Sequence, residues 1–201
     1  MLTPSYILCP GKVTFEYFKK RNFNNLLIIG SNRHISLNLK PKVNDNLLII
    51  SDGTFSESVL LLDLAHLLSL MFNDKKIFFK LHPFISQNLF KLNNYKKKNL
   101  IILQSESIKY CSRLCNKVLY KGSAAILECV SYGMTPIYYN YPKFPSKNIL
   151  YKFNNNIEKS HLNKIDQFNI ENNKLSKIRK FCKDYYTKEL NLIDLKTLSI
   201  I

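Results

Sequence analysis

The sequence predicts an α/β protein built on a doubly wound, mainly parallel sheet. Two observations predict it. Short apolar runs recur at residues 47–50, 77–81, 100–103 and 118–120, each rich in branched or aromatic side chains and too compact for a helix by itself. Each run is followed at once by a polar cluster: Ser51-Asp52-Gly53-Thr54, His82-Pro83, Gln104-Ser105-Glu106-Ser107 and Gly122-Ser123-Ala124-Ala125. Three of these clusters lead into helical spacing, and the stretch after His82-Pro83 is a weaker, shorter candidate. Strands alternating with helices make a parallel sheet. Such sheets bind ligands outside the carboxyl ends of their strands, which is where the clusters fall.

Taken in order, Tyr6-Ile7-Leu8-Cys9 reads as a strand broken by Pro10-Gly11-Lys12, residues 13–20 as a helix, and residues 26–29 as a strand closed by Gly30-Ser31. Two short β units cannot bury their faces alone. Residues 1–40 therefore read as the end of something larger, packing on the rest of the chain or on missing sequence. Lys40-Pro41-Lys42-Val43-Asn44-Asp45 is polar, carries a proline and reads as a linker. Residues 46–140 then give strand, helix, strand, short helix, strand, helix, strand, helix, strand, with right-handed crossovers placing helices on both faces.

Within that unit, Ser56 and Val59 open a long helix, with Glu57 in its favourable first turn. Its apolar stretch 59–72 contains Asp63 and His66 and falls short of the roughly 20 residues that span a bilayer. Gly133 reads as the C′ glycine that stops a helix, and Pro136 sits at the start of the strand 135–140, where proline is tolerated. Residues 140–165, rich in Asn, Lys, Pro and Tyr, read as a long loop. Residues 171–190 have helical spacing through Leu175, Ile178, Phe181, Cys182 and Tyr185. The expected organisation is thus a remnant of a first domain at 1–40, a binding domain at 41–170, and a C-terminal helix at 171–201 packing across both.

Composition narrows the function. The 201 residues are 46% hydrophobic and 22% charged, enough apolar content for a core and too little charge for wholesale disorder. The net charge of +16 points to an anionic partner: nucleic acid, a membrane surface or a phosphorylated substrate. The same charge is also what a Lys-, Asn- and Ile-rich composition drifts toward. Apart from short runs such as Lys96-Lys97-Lys98 the basic residues are scattered, and no aromatic-interleaved basic stripe argues for nucleic acid. The five cysteines are odd in number and lack disulfide or zinc spacing, so reduced thiols in a cytoplasmic protein are expected, with no metal. No signal peptide is visible. There is no Walker A loop, no Gly-x-Gly-x-x-Gly and no Gly-x-Ser-x-Gly, which argues against an NTPase, a nucleotide dehydrogenase and an α/β-hydrolase.

The candidate site residues lie in the clusters. Gly122 permits close backbone approach, and Ser123 either donates its hydroxyl to an anion at the following helix start or acts as an ordinary N-cap. Ala124 continues that start. Glu128, among Ala125, Ile126, Leu127, Cys129 and Val130, is a partly buried carboxylate needing either a ribose diol or a basic side chain. His82 is held at the sheet edge by Pro83, with Lys80 two residues earlier on the same side of the strand. Its imidazole suits donation to a phosphate oxygen or protonation of a leaving group, or it is a structural histidine capping a turn. Asp52, before the turn residue Gly53, is a base, a ribose contact or a loop cap. Arg33 suits a phosphate, but no motif ties it to the other clusters. His66 and His161 read as structural or exposed.

In sequence order, an Asp-Gly after a strand, then Phe79-Lys80-Leu81-His82-Pro83, then the run from Lys121-Gly122-Ser123-Ala124-Ala125-Ile126-Leu127-Glu128 to Gly133-Met134-Thr135-Pro136-Ile137 resembles the donor-binding half of GT-B glycosyltransferases. The nearest look is to capsule Kdo-transferases, polysialyltransferases and CDP-glycerol glycerophosphotransferase-like enzymes of bacterial surface carbohydrates. The likeness covers about residues 6–145, with residues 6–33 resembling the last units of a GT-B N-terminal domain. It implies a Rossmann-like GT-B C-terminal domain that binds a nucleotide sugar, CMP- or CDP-linked, without a metal or other cofactor. It places His82 and Ser123 at the cytidine nucleotide and phosphates, with His82 the catalytic residue, and Glu128 at the ribose. It also implies a glycan or lipid-linked acceptor, a peripheral position at the inner membrane face, and a complementary N-terminal domain for catalysis. Gly122 stands where such enzymes often carry a hydroxyl residue. The other reading of the same pattern is a non-catalytic, flavodoxin-like binding or assembly module whose basic surface meets an acidic partner or membrane.

Overall fold

The computed structural model describes residues 6–33, 45–145 and 147–188. Six strands form the main sheet: β3 (Leu47–Ile50), β4 (Ile77–Lys80), β5 (Leu100–Leu103), β6 (Lys117–Tyr120), β7 (Thr135–Asn140) and β8 (Asn156–Glu158). Their order is β5-β4-β3-β6-β7-β8 and every pairing is parallel. All four residues of β3 are buried, because a central parallel strand is covered on both faces. Alternation along it feeds two cores. Leu48 and Ile50 join Val118, Tyr120, Ile126 and Ile178 on one face, and Leu47 and Ile49 join Leu61, Leu68, Phe79 and Leu119 on the other. Helix α2 (Phe55–Met71) covers the second face; α3 (Ile108–Leu114), α4 (Ala125–Ser131) and α5 (Asn172–Tyr185) cover the first.

A separate pair of parallel strands, β1 (Ile7–Cys9) and β2 (Leu26–Ile28), flanks α1 (Lys12–Lys19), a helix with no buried residue. Helix α5 packs on both α4 and α1. The chain beyond it ties the two parts together: the Thr187 amide donates to the Pro10 carbonyl at 3.0 Å, and the Ser31 amide donates to the Thr187 carbonyl at 3.0 Å.

Helix α4 ends as expected at Gly133, whose φ of 94° is the left-handed region that glycine enters without strain. The Gly133 amide bonds the Val130 carbonyl and the Met134 amide bonds the Cys129 carbonyl, the paired closure of a Schellman end. The long helix begins at Phe55 with Thr54 at its N-cap, one residue before Ser56 and well before Val59. The weak helix after His82-Pro83 forms only as 3-10 turns at Gln87–Leu89 and Leu92–Tyr95. The loop expected over 140–165 contains β8 and two more 3-10 segments, Tyr151–Phe153 and Lys159–Lys164. Three residues with one buried side chain, Ile157, carry no legible strand period. The C-terminal helix stops at Tyr185 rather than residue 190, and residues 189–190 lie outside the described residues, as does the linker at 40–44 with the domain boundary placed there.

Candidate functional site

The chain runs outward from β3 through β4 to β5, then returns to place β6 beside β3. That reversal leaves a crevice at the carboxyl ends of β3 and β6, the place where doubly wound sheets bind ligands. A cavity of about 630 Å³ opens there. Its walls come from the carboxyl ends of three strands: Ile50 and Ser51 at the end of β3, Lys80 to Pro83 at the end of β4, and, after β6, Ser123 and Ala124 with Ala125 and Glu128 of α4. A fourth wall comes from the small β1–β2 part and the chain after α5, through Asn32, Arg33 and Tyr186.

Each polar group is positioned by its own neighbours. The His82 amide donates to the Ser51 hydroxyl, stitching the end of β4 to that of β3. The Phe84 amide donates to His82 Nδ1 at 3.3 Å, so the neutral imidazole carries its proton on Nε2. Lys80 lines the same cavity while its ammonium donates to the Gln104 carbonyl at 3.1 Å. Ser123 is buried in the wall and does not cap α4, whose N-cap is Ala124 without a side-chain bond. Helix α4 has only seven residues. Its axial field is short, so the side chains of Lys80, His82, Ser123 and Arg33 carry most of the cavity's capacity to hold an anion. Burial raises the Glu128 carboxyl above its ordinary value, while the positive charges of Arg33 and Lys80 act in the opposite direction.

Of the expected site residues, Lys80, His82, Pro83, Ser123, Ala124 and Glu128 line this cavity; Asp52, Gly53 and Gly122 do not. The Asp52 carboxylate accepts from the Gly53 amide at 2.7 Å and lies 3.6 Å from the Lys147 ammonium. Burial raises its carboxyl, but the neighbouring Glu57 carboxyl, the Gly53 amide and Lys147 outweigh that and hold it below the ordinary value. Gly122 leaves room for Asp52, because a Cβ there would collide with the Asp52 carboxylate. Gly53 lies under the His82 ring, 3.7 Å from where its own Cβ would stand.

Arg33, suited to a phosphate but tied to no cluster by the sequence, lines the cavity, and Lys121 and Lys147 gain roles that the sequence did not indicate. Arg33 reaches the cavity only because α5 and Thr187 draw the β1–β2 part against the sheet. Lys147 donates to the buried Glu57 carboxylate at 3.0 Å, an acceptor that also takes the Thr54 hydroxyl at 2.9 Å. Lys121 is fully buried, donating to the Pro145 carbonyl at 3.3 Å with its ammonium 6.0 Å from the Tyr138 ring and 5.8 Å from that of Phe144. The run Lys121-Gly122-Ser123 and the proline-bearing loop were the available signals for Lys121, and Lys147 had none. His66 meets Tyr95 edge-on and His161 is exposed, both away from the cavity. All five cysteines are buried and unpaired, and burial pushes the Cys111 thiol up to about 11. Among the described residues no group of three or more His, Cys, Asp or Glu could hold a metal ion, and no helix is long and apolar enough to cross a membrane.

No protein-family model matches the chain, and no curated protein does so significantly. Solved structures do. The chain is similar to TarM at 14% identity with a TM-score of 0.55, covering 91% of this chain and 41% of that one. It is similar to S. aureus MnaA, in a co-structure with UDP, at 9% identity and TM-score 0.60, covering 98% and 60%. It is also similar to the UDP-GlcNAc 2-epimerase of Methanocaldococcus jannaschii, in complex with UDP-GlcNAc and UDP, at 11% identity and TM-score 0.52, covering 98% and 61%. The chain thus spans between 41% and 61% of the length of these structures. At these identities the likeness is one of fold: the chain shares with these structures an α/β, Rossmann-like, mainly parallel sheet with flanking helices.

Proposed function

We propose that this chain binds a nucleotide-activated sugar in the switch-point cavity and acts as the donor-binding half of a glycosyltransferase. The observation that carries the reading is the convergence of Lys80 and His82 at the end of β4 with Ser123 and Glu128 at the start of α4 on one cavity at the carboxyl edge. Two of the similar structures, MnaA and the UDP-GlcNAc 2-epimerase, are complexes with UDP, which supports a nucleotide ligand in this fold.

In this reading the diphosphate or phosphate lies against Ser123, Lys80 and the Nε2–H of His82, and Glu128 accepts from the ribose hydroxyls. When the bond from the sugar's anomeric carbon to the phosphate oxygen breaks, the electrons leave with the nucleotide. His82 and Lys80 then stabilise the growing charge, a contribution of the preorganised electrostatic kind. The acceptor hydroxyl attacks the anomeric carbon and gives its proton to a base on a complementary N-terminal domain. The resemblance of the motif set to capsule Kdo-transferases, polysialyltransferases and CDP-glycerol enzymes makes surface-polysaccharide synthesis the setting and a CMP- or CDP-linked donor the first to try. An enzyme that epimerises the sugar would use the same donor contacts, and product analysis separates the two reactions.

Calorimetric titration with CMP, CDP, UDP and GDP tests the proposal. One nucleotide is expected to bind selectively, and His82→Ala or Ser123→Ala to weaken it about tenfold or more, the usual cost of losing a hydrogen bond to a charged group. Folded protein that binds none of the four, or associates with anions in a salt-sensitive way that ignores both substitutions, would overturn it and favour a non-catalytic basic module.

A further inference from the structure

A second groove of about 460 Å³ lies beside β5, the edge strand of the sheet, and shares no lining residue with the cavity above. Leu92, Leu100 and Ile102 contribute its apolar side, and the consecutive residues Lys96, Lys97 and Lys98 its basic side. The segment holding those lysines runs along α2. The Tyr95 hydroxyl donates to the Asp63 carboxylate at 2.6 Å, and its ring meets His66 at 5.6 Å. Further on, the Asn99 amide donates to the Ser69 carbonyl at 3.0 Å and to the Phe72 carbonyl at 2.8 Å. On the same stretch of α2, Leu67, Leu70 and Met71 are 38%, 46% and 41% exposed, though a helix this apolar is expected to be covered all round. The segment that carries the basic run thus lies between the groove at β5 and a helix with exposed apolar side chains, and Asp63, the carboxylate at its start, is already engaged by Tyr95.

We propose that this face docks on an anionic lipid bilayer. The three ammonium groups lie at the lipid phosphates, and Leu67, Leu70 and the groove face the outer acyl region. Lysine stems suit that boundary, since they lie along apolar surface while the charge stays in water. Charge decides against the other occupants. Two copies each carrying +16 repel one another, and lysines beside an edge strand oppose the addition of another strand. A bilayer offers anionic headgroups and apolar depth together. The inference does not depend on the nucleotide reading.

Co-sedimentation of the full chain with phosphatidylcholine vesicles, with and without about one-third phosphatidylglycerol, tests it. Binding is expected only to the anionic vesicles. Replacing Lys96, Lys97 and Lys98 together by Ala is expected to weaken it roughly fivefold for each lysine, about a hundredfold in all. Leu67→Ser with Leu70→Ser is expected to weaken it while the net charge stays unchanged. Lys159→Ala, Lys164→Ala and Lys177→Ala together, exposed residues of the β8 and α5 region, remove the same charge and are expected to leave binding unchanged. No binding by the wild-type chain, binding that survives loss of the three lysines, or equal loss in the control would overturn the proposal. Far-UV circular dichroism confirms that each variant folds, and the two lysine sets decide the matter if the leucine variant does not.

Discussion

A methyl group placed on Gly122 would collide with the Asp52 carboxylate and stand 3.1 Å from the Lys147 side chain, so this glycine is a spacer between β3 and β6. The same atom on Gly53 would stand 3.7 Å from the His82 imidazole, an ordinary contact. The two glycines look alike in sequence, each in a turn after a strand, yet the consequences differ. Gly122→Ala is expected to cost about 1–3 kcal/mol, the usual cost of overpacking, and to displace the Asp52–Lys147 pair. Gly53→Ala is expected to cost less than about 1 kcal/mol, because it meets neither backbone nor charge. Urea denaturation of the two variants checks both, and equal losses would show that Asp52 moves aside freely.

Among the elements, the segment after β7 depends most on contacts distant in sequence. Lys121 holds Pro145 from beneath, the Tyr120 hydroxyl donates to Asn148 at 2.5 Å, and Lys147 reaches Glu57, 90 residues away, at 3.0 Å. Glu57 is only 2% exposed, so its carboxylate depends on Lys147 and Thr54 for compensation. Lys147→Ala is expected to destabilise the chain by about 1–3 kcal/mol, the cost of leaving a buried acceptor under-satisfied, and to speed hydrogen exchange over residues 141–150. The pH dependence follows from Asp52, whose carboxyl is held below its ordinary value. Stability from that pairing is present above the ordinary aspartate value and is lost as pH falls through the lowered one. An acid melt should therefore lose less stability in Lys147→Ala than in wild type over that window.

At the scale of the molecule, α5 and Thr187 draw the β1–β2 part against the main sheet, and the cavity between them sets Arg33 opposite Glu128. Burial leaves the Glu128 carboxyl raised despite Arg33 and Lys80. The sign of the consequence is fixed: a carboxyl raised by folding makes the folded state bind more protons than the unfolded one, so stability falls as pH rises from the ordinary glutamate value through the raised one, and the penalty persists at neutral pH. Glu128→Gln is accordingly expected to raise the melting temperature of the ligand-free chain at pH 7 and to leave it little changed well below pH 4.5, the ordinary value. The same variant is expected to weaken nucleotide binding, so thermal melts with and without nucleotide separate a residue kept for ligand from one kept for stability. Unchanged melting at pH 7 would mean that Arg33 and Lys80 already satisfy the carboxylate.

Five of the six strands of the main sheet, and the strand ends near which Lys80, His82, Ser123 and Glu128 lie, were legible in the sequence. Strands buried on both faces read as unbroken apolar runs, and a turn's place after its strand is a local property of the chain. The Schellman end at Gly133 was legible for the same reason, since one residue's φ sets it. Strand β8 was not, because three residues with one buried side chain make no period and only pairing with β7 defines them. The arrival of Arg33 at the cavity, the diversion of Asp52 to Lys147, and the role of Gly122 as a spacer were decided by tertiary structure alone. Each depends on groups far apart in sequence whose separation is set by packing, and no spacing rule within a strand or helix encodes that distance.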